Sequence, residues 1–277
     1  MTATTPDARS VTERGRSPSF AGLLRAEWTK LRSVRSTVWA LVLLVVLTLG
    51  FAALFTALTV SQWSNTSETQ QRQIVADPVG MILGAGFQFS QLAVCVLGVL
   101  VMTSEYSTGM IRSSLLAVPK RTPMLWAKCA VFSVVVFLVA VLAAFPSFFI
   151  GAAILRSKAP VALGDPGVAR AVVGAGLYLA VLGLFALAIG AIVRHTAGAI
   201  TGIIGFVLVL SPLTRLLPGS LGERVHAYLP SEAGQLITQA RQGTDDLLSP
   251  WQGFAVFCLW TSVLLGIAAY LLKHRDA

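Results

Sequence analysis

No Asp, Glu, Lys, Arg or His interrupts the chain over 37–60, 79–104, 129–155, 171–193, 196–214 or 251–272. Crossing a hydrocarbon core about 30 Å thick takes about 20 helical residues at about 1.5 Å each. Every stretch is close to that length or beyond it, so the expected fold is an all-α membrane protein with six transmembrane helices. The missing charges also bear on energetics. Pumps driven by protons or ions keep an ionisable group inside the bilayer, at a cost of roughly 2.5–3.5 kcal/mol on the insertion scale. With none in any span, an ion-coupled transporter is disfavoured, and any transport work draws its energy from elsewhere.

Other chemistry is equally scarce. No G-x-x-x-x-G-K-S/T run is present, so no P-loop ATPase site is expected on this chain. H-E-x-x-H and G-x-S-x-G are absent too, and an enzyme is not expected. The three cysteines, Cys95, Cys129 and Cys258, lie in or beside spans, without disulfide or metal-ligand spacing. The three histidines, His195, His226 and His274, sit at span edges or in connections and are expected to be polar side chains at the surface, not ligands or general bases. No metal or cofactor is expected to bind.

Only 12% of the 277 residues are charged, and the longest hydrophilic segments, 1–36 and 215–250, are too short to bury cores of their own. One membrane domain over 20–277 is expected, preceded by a disordered tail over 1–19 that is poor in apolar residues. With the N-terminus inside, 14 of the 21 basic residues and five of the 12 acids fall on the cytoplasmic side. That N-in, C-in topology obeys the positive-inside rule. The net charge of +9 is then a topology and lipid-headgroup signal, and nucleic acid is not an expected partner.

Residues 20–35 precede the first span. At 100° per residue Phe20, Leu23, Leu24, Trp28, Leu31 and Val34 share one apolar stripe, which predicts an amphipathic interfacial helix. Glu27 falls inside that stripe, where a carboxylate needs a partner. Two partners are open: Lys30, one helical turn on, or a basic residue of the first cytoplasmic loop.

Gln88, Ser90 and Gln91 lie at mid-depth in the second span, for hydrogen bonds between helices or as part of a substrate path. Pro146 predicts a kink near the outer end of the third span. Gly176, Ala180, Gly183, Ala186 and Gly190 line one side of the fourth span, and Gly198-x-x-x-Gly202 opens the fifth. Both patterns predict close helix packing. Arg194 and His195 leave room only for a tight hairpin between these spans. The outer segment 215–250 is too apolar for a plain loop, and Pro230-Ser231-Glu232 reads as a helix start capped by Ser231. Short helices on or in the outer leaflet are expected.

The one sizeable cytoplasmic loop joins spans two and three, with its centre over 105–124. Met110, Ile111, Leu115 and Leu116 recur at helical spacing and Pro119 ends the run. Such a segment suits either docking of a soluble protein or rest on the leaflet.

Several segments carry a resemblance: AEWTKLRSVRSTVW at 26–39, EYSTGMIR at 105–112, LLAVPKR at 115–121 and YLPSEAGQLI at 228–237. In this order they resemble the type-2 ATP-binding-cassette (ABC) transporter permeases of high-GC bacteria, over essentially the whole chain. Glu105-x-x-x-Gly109 with Pro119 is the most characteristic part. The resemblance implies a permease in the bacterial cell membrane, paired with a second permease subunit and with separate ATPase subunits that bind ATP and magnesium. It implies export of a hydrophobic or amphipathic drug, peptide or lipid. By the same resemblance the loop bearing Glu105, Gly109, Met110, Ile111, Leu115, Leu116, Pro119 and Arg121 couples to the ATPase. Glu27, Trp28, Lys30 and Arg32 lie on the connecting interfacial helix. The competing class is a non-transporting scaffold or immunity protein that binds lipids or peptides.

Overall fold

The computed structural model describes residues 19–109, 121–214, 216, 219–243 and 246–274. Met110, Ile111, Leu115, Leu116 and Pro119 of the expected coupling segment lie outside the described residues, as do the tail through residue 18 and the side chain of Arg121. The described residues are helical or loop, with no strand.

Six helices are long and apolar enough to cross a membrane, which makes this a multi-pass membrane protein. They run past the charge-free stretches at most ends, because a helix continues wherever its polar end residues can reach water or a partner. The order begins with α1 (Phe20–Ser33), α2 (Arg35–Ser61), a short α3 (Glu68–Ala76), α4 (Pro78–Ser107) and α5 (Arg121–Leu155). It continues with α6 (Val168–Val193), α7 (Thr196–Gly205), α8 (Ser211–Thr214), α9 (Gly219–Ala227), α10 (Pro230–Gln235) and α11 (Pro250–His274). Both Glu105 and Arg121 therefore lie in helices, so the connection between spans two and three is shorter than 105–124. Pro146 sits inside α5 without ending it. A single π-helical turn, Phe206–Leu210, joins α7 to α8.

The centre of the bundle is α4 against α6, with 61% and 67% of their most apolar windows buried, against 17% in α2 and 22% in the fifth span. Helices gain no hydrophobic advantage by leaving lipid for one another, so close backbone approach decides which of them pair. A Cβ on Gly98 would lie 2.4 Å from the Gly183 carbonyl oxygen, and one on Gly183 would lie 2.7 Å from the Phe132 ring. Gly176 likewise packs on Val141 of α5 and Gly190 on Val99 of α4. The fourth-span stripe thus meets two helices. Gly198 has only ordinary contacts, and Gly202 has open space around it, so the expected packing role of the fifth-span pair is not filled among the described residues.

The N-terminal helix starts at Ser19, whose Oγ accepts the Gly22 amide. Its stripe divides. Leu23, Glu27 and Leu31 are buried, with Leu23 packed near Ala127 of α5, whereas Phe20 and Trp28 are half exposed.

At the other end the 230–240 stretch packs into the bundle as an inner layer. Ala233, Gly234 and Ile237 are buried between α6 and α11. Gly174 of α6 faces the Ile237 carbonyl and Gly253 of α11 faces the Ala233 carbonyl, each closer than any Cβ would allow. Ser231 does not cap α10. The N-cap is Leu229, with no side-chain cap, and Ser231 is buried at the second helical position. Pro230 at the first helical position needs no acceptor for a missing N–H, which makes a capping side chain less necessary. Asp77 caps α4 through Gly80 and also accepts the Ala240 amide, while Arg170 donates to the Gln239 and Ala240 carbonyls at 3.0 Å. These contacts tie the second span, the fourth span and the inner layer together.

Candidate functional site

Four charged side chains close a ring where α1 crosses the ends of α4 and α5. Lys128 Nζ donates to Glu27 Oε2 at 2.6 Å and to Glu105 Oε1 at 2.8 Å. Lys30 Nζ donates to Glu27 Oε1 and Glu105 Oε1, both at 2.9 Å. Each helix delivers its member by simple geometry. Glu27 and Lys30 are one turn apart on α1, Glu105 is in the last turn of α4, and Lys128 is two turns into α5.

Burial sets the energetics. The Lys128 side chain is 3% exposed, and those of Glu27 and Glu105 are 4% and 6%. An isolated buried charge is prohibitively costly, so each of these depends on the others. Two carboxylates against two ammonium groups leave the ring neutral. Lys30 sits at the rim, 31% exposed. Burial pushes its ammonium pKa down, but the hydrogen bonds and charges of Glu27 and Glu105 outweigh that and hold it above the ordinary lysine value. Both partners open to Glu27 in the sequence are therefore used at once, one on each carboxylate oxygen.

Trp28 and Arg32 are exposed on α1, off the ring, and Gly109 follows α4 with φ of 68°, a left-handed turn that suits glycine. Arg194, the turn residue between α6 and α7, lies over the Tyr106 ring at 5.1 Å and reaches the Leu271 carbonyl at 3.4 Å. Thr196 donates to Thr103 at 3.0 Å. The ring end of the bundle is thus cross-tied through α4 to α7 and α11.

A second polar region lies deeper. Tyr178 Oη donates to Gln91 Oε1 at 2.9 Å, and Ser90 bonds Thr48 of α2 at 2.6 Å. These two mid-span polar residues join helices. Gln88 is exposed, makes no hydrogen bond among the described residues, and borders a pocket with Gln91, Ser211, Glu232 and Gln235. Glu232 of α10 accepts from Ser211 and pairs with His226 Nε2 at 3.2 Å, while His226 Nδ1 meets Thr214 at 2.9 Å. The inner layer therefore carries a carboxylate to a span that has none of its own.

Two participants escaped the sequence reading. Lys128 stands one residue before a charge-free stretch, and that position is its only signal in the sequence. Glu232 gave no signal, since only tertiary folding brings α10 against the fifth span.

No protein-family model and no curated protein matches the chain.

Proposed function

We propose that this chain is the membrane permease subunit of an ABC transporter, an exporter of a hydrophobic or amphipathic substrate driven by a separate ATPase. The observation that carries this reading is the charged ring. The residues 110–120 connect two helices whose adjoining ends are both bonded to α1, Glu105 through Lys30 and Lys128 through Glu27. A soluble partner pressing on that connection would move α4, α5 and α1 together. Because α1 leads through Val34 into α2, the motion would reach the first span as well.

The positive-inside count places the ring on the cytoplasmic side and α1 along the inner leaflet of a bacterial cell membrane. The open faces of Gly202 and of the apolar first span suit a second permease subunit, of the same or another kind. Gln88, exposed and without a hydrogen bond among the described residues, suits a path for substrate between them. ATP and magnesium would be held by the partner ATPase and not by this chain.

The experiment is a mild-detergent pull-down of the tagged chain from its host, followed by mass spectrometry. A stoichiometric soluble protein with a Walker P-loop is the expected companion. Recovery of the chain alone, or with other membrane proteins only, would favour a non-transporting scaffold or immunity protein.

A further inference from the structure

Tyr178, buried at the centre of the bundle, stands between two carboxamides. Its hydroxyl donates to Gln91 Oε1 at 2.9 Å and accepts from Gln235 Nε2 at 3.4 Å. A phenol has a single proton, so the three side chains form a relay that runs in one direction and ends in two different groups. One end is Gln91 Nε2, a donor. The other is Gln235 Oε1, an acceptor. Neither makes a further hydrogen bond among the described residues, and neither is sealed within the packing. Turning both carboxamides over exchanges the two ends but still leaves one donor and one acceptor.

Both glutamines border one cavity of about 240 Å³, and Gln88 stands at its exposed side. Gln91 is only 2% exposed, so a partner for its N–H has to come from that cavity. Another wall is irregular backbone. Pro212 has no N–H for the Leu208 carbonyl one turn before it, and the fifth span widens there into the π-helical turn Phe206–Leu210. Val207, Leu208 and Pro212 all border the cavity. Irregular backbone at membrane depth is tolerated where it lines a cavity, and single π-helical turns gather at functional sites.

The ligand chemistry follows by elimination. A phosphate or carboxylate offers acceptors only, an ammonium offers donors only, and an acyl ester has no N–H, so each meets one end of the relay and leaves the other unmet. A peptide backbone carries both an N–H and a C=O. The cavity is smaller than an ordinary ligand pocket of about 300–1,000 Å³, so it holds part of a chain. Gln235 and Glu232 also border a second cavity, of about 650 Å³, together with Glu223 and Asp246. Those carboxylates suit basic side chains and not an acyl tail. We propose that this site binds the backbone of a short basic peptide, held by Gln91 and Gln235 in the smaller cavity, with its cationic side chains in the larger one. Peptides would then be the substrate of the proposed permease. That step rests on the permease reading, whereas binding itself does not.

The test is native mass spectrometry of the full chain in mild detergent with a pool of short lysine-containing peptides, and with the same pool carrying esters in place of its backbone amides. The ester keeps the shape and the carbonyl and removes only the N–H. Loss of that hydrogen bond predicts roughly tenfold weaker retention of the ester pool. Leu208→Trp fills the smaller cavity from a partly exposed position and leaves the relay in place, so it should abolish the difference. Gln235→Leu removes the acceptor and should do the same. Equal retention of the two pools by the unaltered chain, or none of either, would overturn the proposal. So would a difference that survives both substitutions, or stronger retention of ceramide, whose amide carries an acyl chain. No ATPase takes part in the measurement. Equal retention alongside a stoichiometric ATPase in the pull-down would therefore remove the peptide site and leave the permease reading, and the reverse pair of results would remove the permease reading and leave the site.

Discussion

Tyr178 and Gln91 lie 87 residues apart in the chain, and one hydrogen bond of 2.9 Å joins them at the centre of the bundle. The bond satisfies the Gln91 carbonyl and ties α4 to α6, while Gln88, one turn earlier on α4, makes no hydrogen bond among the described residues. Two amides that look alike in sequence therefore make different predictions. Gln91→Leu should lower stability by about 1 kcal/mol, read as a lower thermal midpoint in detergent. Gln88→Leu should leave the midpoint unchanged and alter transport of an amphipathic substrate into inverted vesicles. A fall in the Gln88→Leu midpoint as large as that of Gln91→Leu would make Gln88 a packing residue.

The charged ring predicts an unequal pair of lysine variants. Lys128→Met leaves two buried carboxylates sharing one rim ammonium and should cost about 3–5 kcal/mol. Lys30→Met leaves Lys128 between them and should cost about 1 kcal/mol, because Lys30 is partly exposed. Adding Glu27→Gln to Lys128→Met should recover part of the loss. Fluorescence-detected thermal unfolding of the purified variants makes the comparison, and equal losses from both lysines would contradict the ring's asymmetry.

Coupling can be separated from insertion at Glu105. Glu105→Ala should still reach the membrane with six spans intact; on the proposed permease function it should lose substrate transport and the stimulation of an ATPase recovered with the chain. Protease protection reads the first and vesicle transport the second. Transport at the unmodified rate would remove Glu105 from any coupling role.

Glycines that look equivalent in sequence should respond in opposite directions. A Cβ at Gly253 would stand 2.3 Å from the Ala233 carbonyl oxygen and one at Gly174 would stand 2.4 Å from that of Ile237. Alanine at either should cost about 1–3 kcal/mol by prising the inner layer from the bundle. Alanine at Gly202, which has open space, should raise stability by about 0.5–1 kcal/mol through helix propensity. Thermal midpoints of the three variants in one detergent settle the order.

Asp77 predicts a pH dependence. Burial raises its carboxyl pKa above the usual aspartate value, and the Gly80 and Ala240 amides, with Arg241 and Arg170 nearby, pull only part of the way back. A carboxyl with a raised folded pKa binds its proton more tightly folded than unfolded, so its stabilising contribution is complete below the unfolded pKa and is lost as pH rises through the folded one. Asp77→Asn keeps the acceptor for both amides without the charge. Its thermal midpoint should exceed that of the unaltered chain at neutral pH, and the gap should close on acidification towards the ordinary aspartate range.

The six spans were legible because a charge-free run of sufficient length has few alternatives to a membrane helix. Their ends were not. Hydropathy marks where residues are apolar, whereas α5 begins at Arg121, ahead of its charge-free stretch, and Lys128 two turns in finds partners. Glu27 announced itself as out of place in an apolar stripe, and a carboxylate with two oxygens resolved the choice of partner by taking both. Ser231 misled, since a serine after proline reads as a cap by local rules while the fold needed it inside. The reach of Glu232 to Ser211 depends on where α10 packs, which no local pattern encodes.

The ring also has a history within each molecule's synthesis. Glu27 leaves the ribosome 101 residues before Lys128. At about 5–20 residues per second this is a wait on the order of 5–20 s. During that interval the first two spans are already made, and Glu27 has only its neighbour Lys30 for company. The N-terminal helix can settle onto the bundle only after the third span has begun to emerge, so the earliest segment to be made is among the later ones to be locked.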